Sequence, residues 1–130
     1  MDVRDAVEED ADRLAELTDA PTDVMRNLVH DRTVRVGTEG DDVIGFVSFD
    51  AEERTIHVTQ IEGPHEAQVR LLDEPVRFAG GEGMAVELLV PEDDEVSAAA
   101  ATTVGFVEDG TGPRFGGTRT VRYRLDPYEN

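Results

Sequence analysis

The sequence predicts an α/β (α+β) fold: a mixed central sheet of about seven strands flanked by about four helices. Three observations predict it. Segments with period-2 alternation or short apolar runs interleave with segments of helical spacing, in the order strand, helix, helix, three strands, helix, strand, helix, strand, strand. Two runs, 43–50 (VIGFVSFD) and 84–90 (MAVELLV), are nearly all apolar, as expected of strands covered on both faces. The chain of 130 residues with 38% hydrophobic residues suffices for one core, so a single domain over 1–130 is expected.

Each element has a local reason. Residues 2–6 are a short strand candidate, and Asp5 or Glu8 is positioned to cap the first helix. Residues 8–18 put Ala11, Leu14, Ala15 and Leu17 on one face, with acids in the first turn where the helix dipole favours them. Ala20-Pro21-Thr22 breaks that helix, and residues 23–30 form a second one that buries Val24, Met25, Leu28 and Val29. Strands 32–38, 43–50 and 55–62 then make an antiparallel meander with tight acidic turns. Gly63-Pro64 ends it. Residues 65–79 have helical spacing at Val69, Leu72, Val76 and Ala79. Pro75 is expected to kink or split this helix, and Gly80 through Gly83 to stop it. After strand 84–90, Asp94 is a good N-cap for a small-residue helix over 95–104, closed by Gly105. Residues 106–109 and 118–125 are the last strands, around a glycine-rich connection.

Charge narrows the partners. There are 30 acidic residues against 12 basic ones, a formal net charge of -18, and all the basic residues are Arg. The acids are spread among periodic apolar residues, which fits a folded domain with an acidic surface rather than a disordered tail. Self-repulsion weakens such a domain in dilute buffer, whereas at molar salt the Debye length falls to about 3 Å. The composition therefore points to a high-salt cytoplasm. It excludes the basic face that nucleic-acid binding needs. With no cysteine, thiolate zinc sites and cysteine nucleophiles are excluded, and the three His residues lack metal-ligand spacing. No run approaches a membrane span, and Met1-Asp2-Val3-Arg4-Asp5 carries no signal core, so a soluble intracellular protein is expected.

The element order, together with three local pieces, resembles the GNAT N-acetyltransferase superfamily over essentially the whole chain. The pieces are Val3-Arg4-Asp5-Ala6 with Glu9-Asp10-Ala11, the strand Gly83 to Val90, and Asp94 through Gly105-Phe106. The resemblance implies acyl transfer from acyl-CoA, usually acetyl-CoA, to an amine of a small molecule or protein. It implies a cofactor cleft where strands 55–62 and 84–90 splay apart, with phosphates at the N-terminus of the following helix. The implied cofactor-binding residues are Ile61, Glu62, Gly63, His65, Ala67, Gln68, Val69 and Arg70. This sequence departs from the family pattern where Glu66 and Gln68 stand at its two phosphate-loop glycines and Ala101 at its tyrosine acid. A GNAT-like sensing module or an assembly subunit, dimerising through its C-terminal strands, is the alternative those departures allow.

Two residues are candidate proton acceptors. Glu87 lies within an apolar strand beside the expected cleft; it reads either as a base or as an acid that faces the edge or pairs with arginine. His57 lies in the third meander strand and reads either as a base or as an ordinary surface imidazole. Arg114, Arg119, Arg122 and Arg124 gather near the C-terminus, where they meet either an anionic ligand or the surplus of acids.

Overall fold

In the structure, a computed structural model that describes residues 1–127, seven strands form one sheet in the order β1-β2-β3-β4-β5-β7-β6. The strands are β1 (Asp2–Asp5), β2 (Thr33–Glu39), β3 (Asp42–Glu52), β4 (Thr55–Glu62), β5 (Ala85–Pro91), β6 (Val107–Thr111) and β7 (Thr120–Leu125). Four helices accompany them: α1 (Ala11–Thr18), α2 (Thr22–Asp31), α3 (His65–Glu82) and α4 (Glu95–Val104), with a 3-10 turn at Glu8–Asp10 before α1. The meander of β2, β3 and β4 is antiparallel, β4 and β5 run parallel, and the chain returns through β7 between β5 and the edge strand β6. Among the described residues no helix is long and apolar enough to cross a membrane.

Side-chain alternation divides the core in two. On one face α1 and α2 bury Leu14, Met25, Val36 and Phe46. On the other, α3 and α4 bury Leu71, Leu72, Ala100 and Ala101 against Val47, Ile56, Val86 and Leu88. Leu71 and Leu72 are fully buried, and each contributes about 1.5–3 kcal/mol by leaving water. These two leucines fix which face of α3 meets the sheet, and so where its N-terminus stands beside β4.

The structure corrects three local expectations, the simplest being Val24, which was expected on the buried side of α2 and is exposed. α3 is not split or stopped where its proline and glycines suggested: it runs unbroken through Pro75, Gly80 and Gly81 to Glu82. Pro75 removes the donor for the Leu71 carbonyl, but its ring is fully buried, and that packing offsets the lost bond. The helix ends only where Gly83 takes the left-handed conformation, φ 67°. The first turn after β1 is held by Asp10, not by Asp5 or Glu8. The Asp10 carboxylate accepts from the Val7 N–H at 2.8 Å and from Arg4 at 2.8 and 3.0 Å. The Arg4 hydrogen bonds are the chief reason its carboxyl titrates below the usual carboxylate range.

Candidate functional site

The site starts from a pairing that stops. β4 and β5 pair from Thr55↔Ala85 to Val58↔Leu88 and no further. β4 continues to Glu62, still bonded to β3 through Phe46↔Glu62, and β5 continues to Pro91, still bonded to β7 through Pro91↔Thr120. The inner edges of 59–62 and 89–91 therefore face each other across a V-shaped gap. A bulge in β4 stands at the vertex: Ser48 is opposite Gln60 and Phe49 opposite Val58, leaving Thr59 as the extra residue. Bulges bend the strand that carries them, which turns β4 away from β5. The Thr59 and Ser48 hydroxyls share a hydrogen bond at 2.6 Å that pins the bulge.

A cavity of about 540 Å³ fills the gap. His57, Glu87 and Arg122 line its vertex, Thr59 to Glu62 and Leu88 to Pro91 its walls, Asp94 before α4 and Ser97 within it one end, and Phe115 its rim. Glu87 has three basic neighbours: the His57 imidazole, Nδ1 at 3.9 Å, and the arginines Arg122, Nε at 3.8 Å, and Arg124, Nη1 at 3.6 Å. Of the two readings open for Glu87, the structure shows the acid paired with arginine. Arg124 also meets Asp126 at 3.2 Å. At the other end, the Asp94 carboxylate accepts from the Ser97 N–H at 3.1 Å and caps α4 as expected. Glu62 titrates above the usual carboxylate range, chiefly because it is partly buried and secondly because Asp94 is near.

A second hollow of about 490 Å³ lies at the start of α3, lined by His65, Ala67 and Arg70 together with Met1, Glu39 and Glu66. The first bond into this helix is Gln68 N–H to Pro64 O, so the three amides before it have no partner within the helix. Pro64 offers no side-chain cap, and Glu66 lies exposed in the first turn.

No family model matches the sequence, and no curated protein matches it. Solved structures do. An N-acetyltransferase of Staphylococcus aureus Mu50 has a TM-score of 0.82 at 17% identity, covering 97% of this chain and 98% of that one. A proposed acetyltransferase of the GNAT family from Desulfovibrio desulfuricans has a TM-score of 0.73 at 22% identity, covering 97% and 98%. This chain has the GNAT fold. A further proposed acetyltransferase, from Salmonella typhimurium and solved with its cofactor acetyl-CoA, matches with a TM-score of 0.78 at 17% identity, covering 98% and 94%.

Within this GNAT fold the sequence candidates separate into three groups. His57, Glu87, Ile61 and Glu62 line the gap. His65, Ala67 and Arg70 line the hollow at α3, where His65 Nε2 also meets Thr103 Oγ1 of α4 at 3.3 Å. Gly63, Gln68 and Val69 line neither and hold the turn and core. Gly63 has φ 129°, and a Cβ there would stand 3.1 Å from both Gly45 Cα and Ile44 O. Gln68 is buried and donates from Nε2 to the Gly63 carbonyl at 2.9 Å, fastening the turn from β4 into α3. Val69 packs against the core. Ala101 is fully buried and brings no hydroxyl to the gap. Sequence reasoning missed Thr59, Ser97 and Phe115 as lining, and named Arg122 only among C-terminal arginines that meet an anionic ligand or the surplus acids. The Asp94-x-x-Ser97 spacing was legible as a cap, but nothing local placed that cap over the gap.

Proposed function

We propose that this protein is an N-acyltransferase that moves an acetyl group from acetyl-CoA to an amine, in a cytosol of high salt. The observation that carries the reading is the gap: two parallel strands keep their outer partners and leave their inner edges free beyond Val58↔Leu88. Free strand edges suit an extended arm bearing amides, which pairs with them as an added strand would. The residues present fit that arm along 59–62. The open amides at the start of α3, with His65 and Arg70, fit its phosphates. Glu66 in that first turn opposes them.

When bound, acetyl-CoA supplies a thioester carbonyl open to attack by an amine and a thiol that leaves readily. The chain's own part is proton handling and positioning. His57 and Glu87 sit side by side in register at the closed vertex. The His57 imidazole takes the proton of the incoming ammonium, and Glu87, 3.9 Å from Nδ1, orients the ring and stabilises its charged form. Arg122 and Arg124 hold Glu87 in turn.

Calorimetry with acetyl-CoA in molar KCl, followed by a thiol-release assay over a panel of amines, tests this. The expected result is micromolar binding and turnover with at least one amine. His57→Gln should lower kcat by about a hundredfold while leaving acetyl-CoA affinity near that of the parent. No heat of binding at millimolar ligand would refute the reading, and binding without turnover would leave a sensing module.

A further inference from the structure

We propose that the Ser97 hydroxyl is a hydrogen-bonding contact for the neutral arm of the acyl donor, made only when the gap is filled. The inference rests on the acyl-CoA reading above and names a residue within it.

Ser97 is 2% exposed and its Oγ has no hydrogen-bond partner among the described residues, although the residue forms part of the lining of the gap. The other hydroxyls of α4 are satisfied within the helix: Thr102 donates to the Ala98 carbonyl at 3.0 Å and Thr103 to the Ala99 carbonyl at 2.9 Å. The Ser97 backbone N–H is engaged by Asp94, so only the side chain is left over. Four alanines, 98–101, follow it in the same helix. Alanine at 97 would remove an unmet buried hydroxyl and favour the helix, so packing alone gives no reason for the serine.

A partner that arrives with the ligand does give one. A turn about χ1 to another staggered position redirects Oγ, and a hydroxyl can then either donate or accept. Asp94 and the half-buried Glu62 stand at this end of the cavity. Two carboxylates disfavour a phosphate there, so the group that Ser97 meets is a neutral amide or thioester portion of the donor.

Ser97→Ala tests this, with acetyl-CoA as the probe in molar KCl. Calorimetry should show affinity lower by about tenfold. Thermal melting of the ligand-free protein should show a midpoint unchanged or higher, because a merely structural hydroxyl would lower it. Thr102→Ala, which removes a hydroxyl already satisfied, should bind as the parent does. Equal affinity in Ser97→Ala and the parent overturns the contact, as does a fall in the ligand-free midpoint or an equal loss in Thr102→Ala. Absence of binding by the parent itself overturns the acyl-CoA reading and the contact with it, so the two failures are told apart.

Discussion

Two strand-to-helix turns flank the gap, and they treat the start of their helices differently. The turn from β4 into α3 is tight: Gly63 packs against β3 and Gln68 is fastened to its carbonyl. Pro64 provides no side-chain cap, so the first amides of α3 stay open. The turn from β5 into α4 is closed by Asp94, whose carboxylate takes up the Ser97 amide. A carboxylate cap satisfies one orphan donor and opposes the dipole's attraction for an anion. Two parallel strands ending side by side therefore need not make equivalent anion sites. The first turn is built to present amides, the second to consume one.

Gly63 is where this contrast is most exposed to test. Gly63→Ala must hold a left-handed φ of 129° and bring a Cβ to 3.1 Å from the Gly45 Cα and the Ile44 carbonyl. Strain and crowding together should cost about 3 kcal/mol, read by denaturant unfolding in molar salt. A loss below about 1 kcal/mol would mean the turn is not built as described. It also means Gly63 substitutions report on the turn before they report on phosphate.

The second turn offers a smaller effect. Asp94→Ala should cost about 1 kcal/mol by losing the cap. Asp94→Asn, which keeps the acceptor and removes the charge, should lose much less and bring the Glu62 carboxyl back toward its ordinary range, as read by NMR titration. If both variants lose equally, Asp94 acts through its charge and the contrast between the turns fails.

The mildest change concerns the electrostatics between the two turns. Glu62 titrates above its unfolded value because of burial and Asp94. The folded state therefore binds this proton more tightly than the unfolded chain does. Stability is fullest below the unfolded value, about 4.3, and part of it is lost as the pH rises through the folded value. Glu62→Gln should accordingly raise the melting midpoint at pH 7 relative to the parent, with the gain vanishing near pH 4. A gain of the same size at both pH values would show that ionisation is not its source.

Local signals carried much of this architecture. The acidic turns, the alternation in 32–38 and the apolar run 43–50 marked the meander, because each depends on neighbours within a few residues. The split expected at Pro75 did not occur because the burial of its ring, a tertiary property, offset a local rule. Among residues lining the gap, His57 was legible by its position in the third meander strand, and Glu62 only through the family resemblance. Arginine pairing was one reading of Glu87, but which arginines supply it was not legible, since β7 reaches β5 only through a return of about thirty residues.

Spacing and composition alone dictated the elements, their order and the acidic surface. Three features of the site came only with folding: the point at which β4 and β5 part, Val58↔Leu88; Thr59 as the residue left over; and Ser97 lining the opening without a partner among the described residues. Strand pairing, and hydrogen bonds left unmade, are relations between distant segments. They exist only once the chain has brought those segments together.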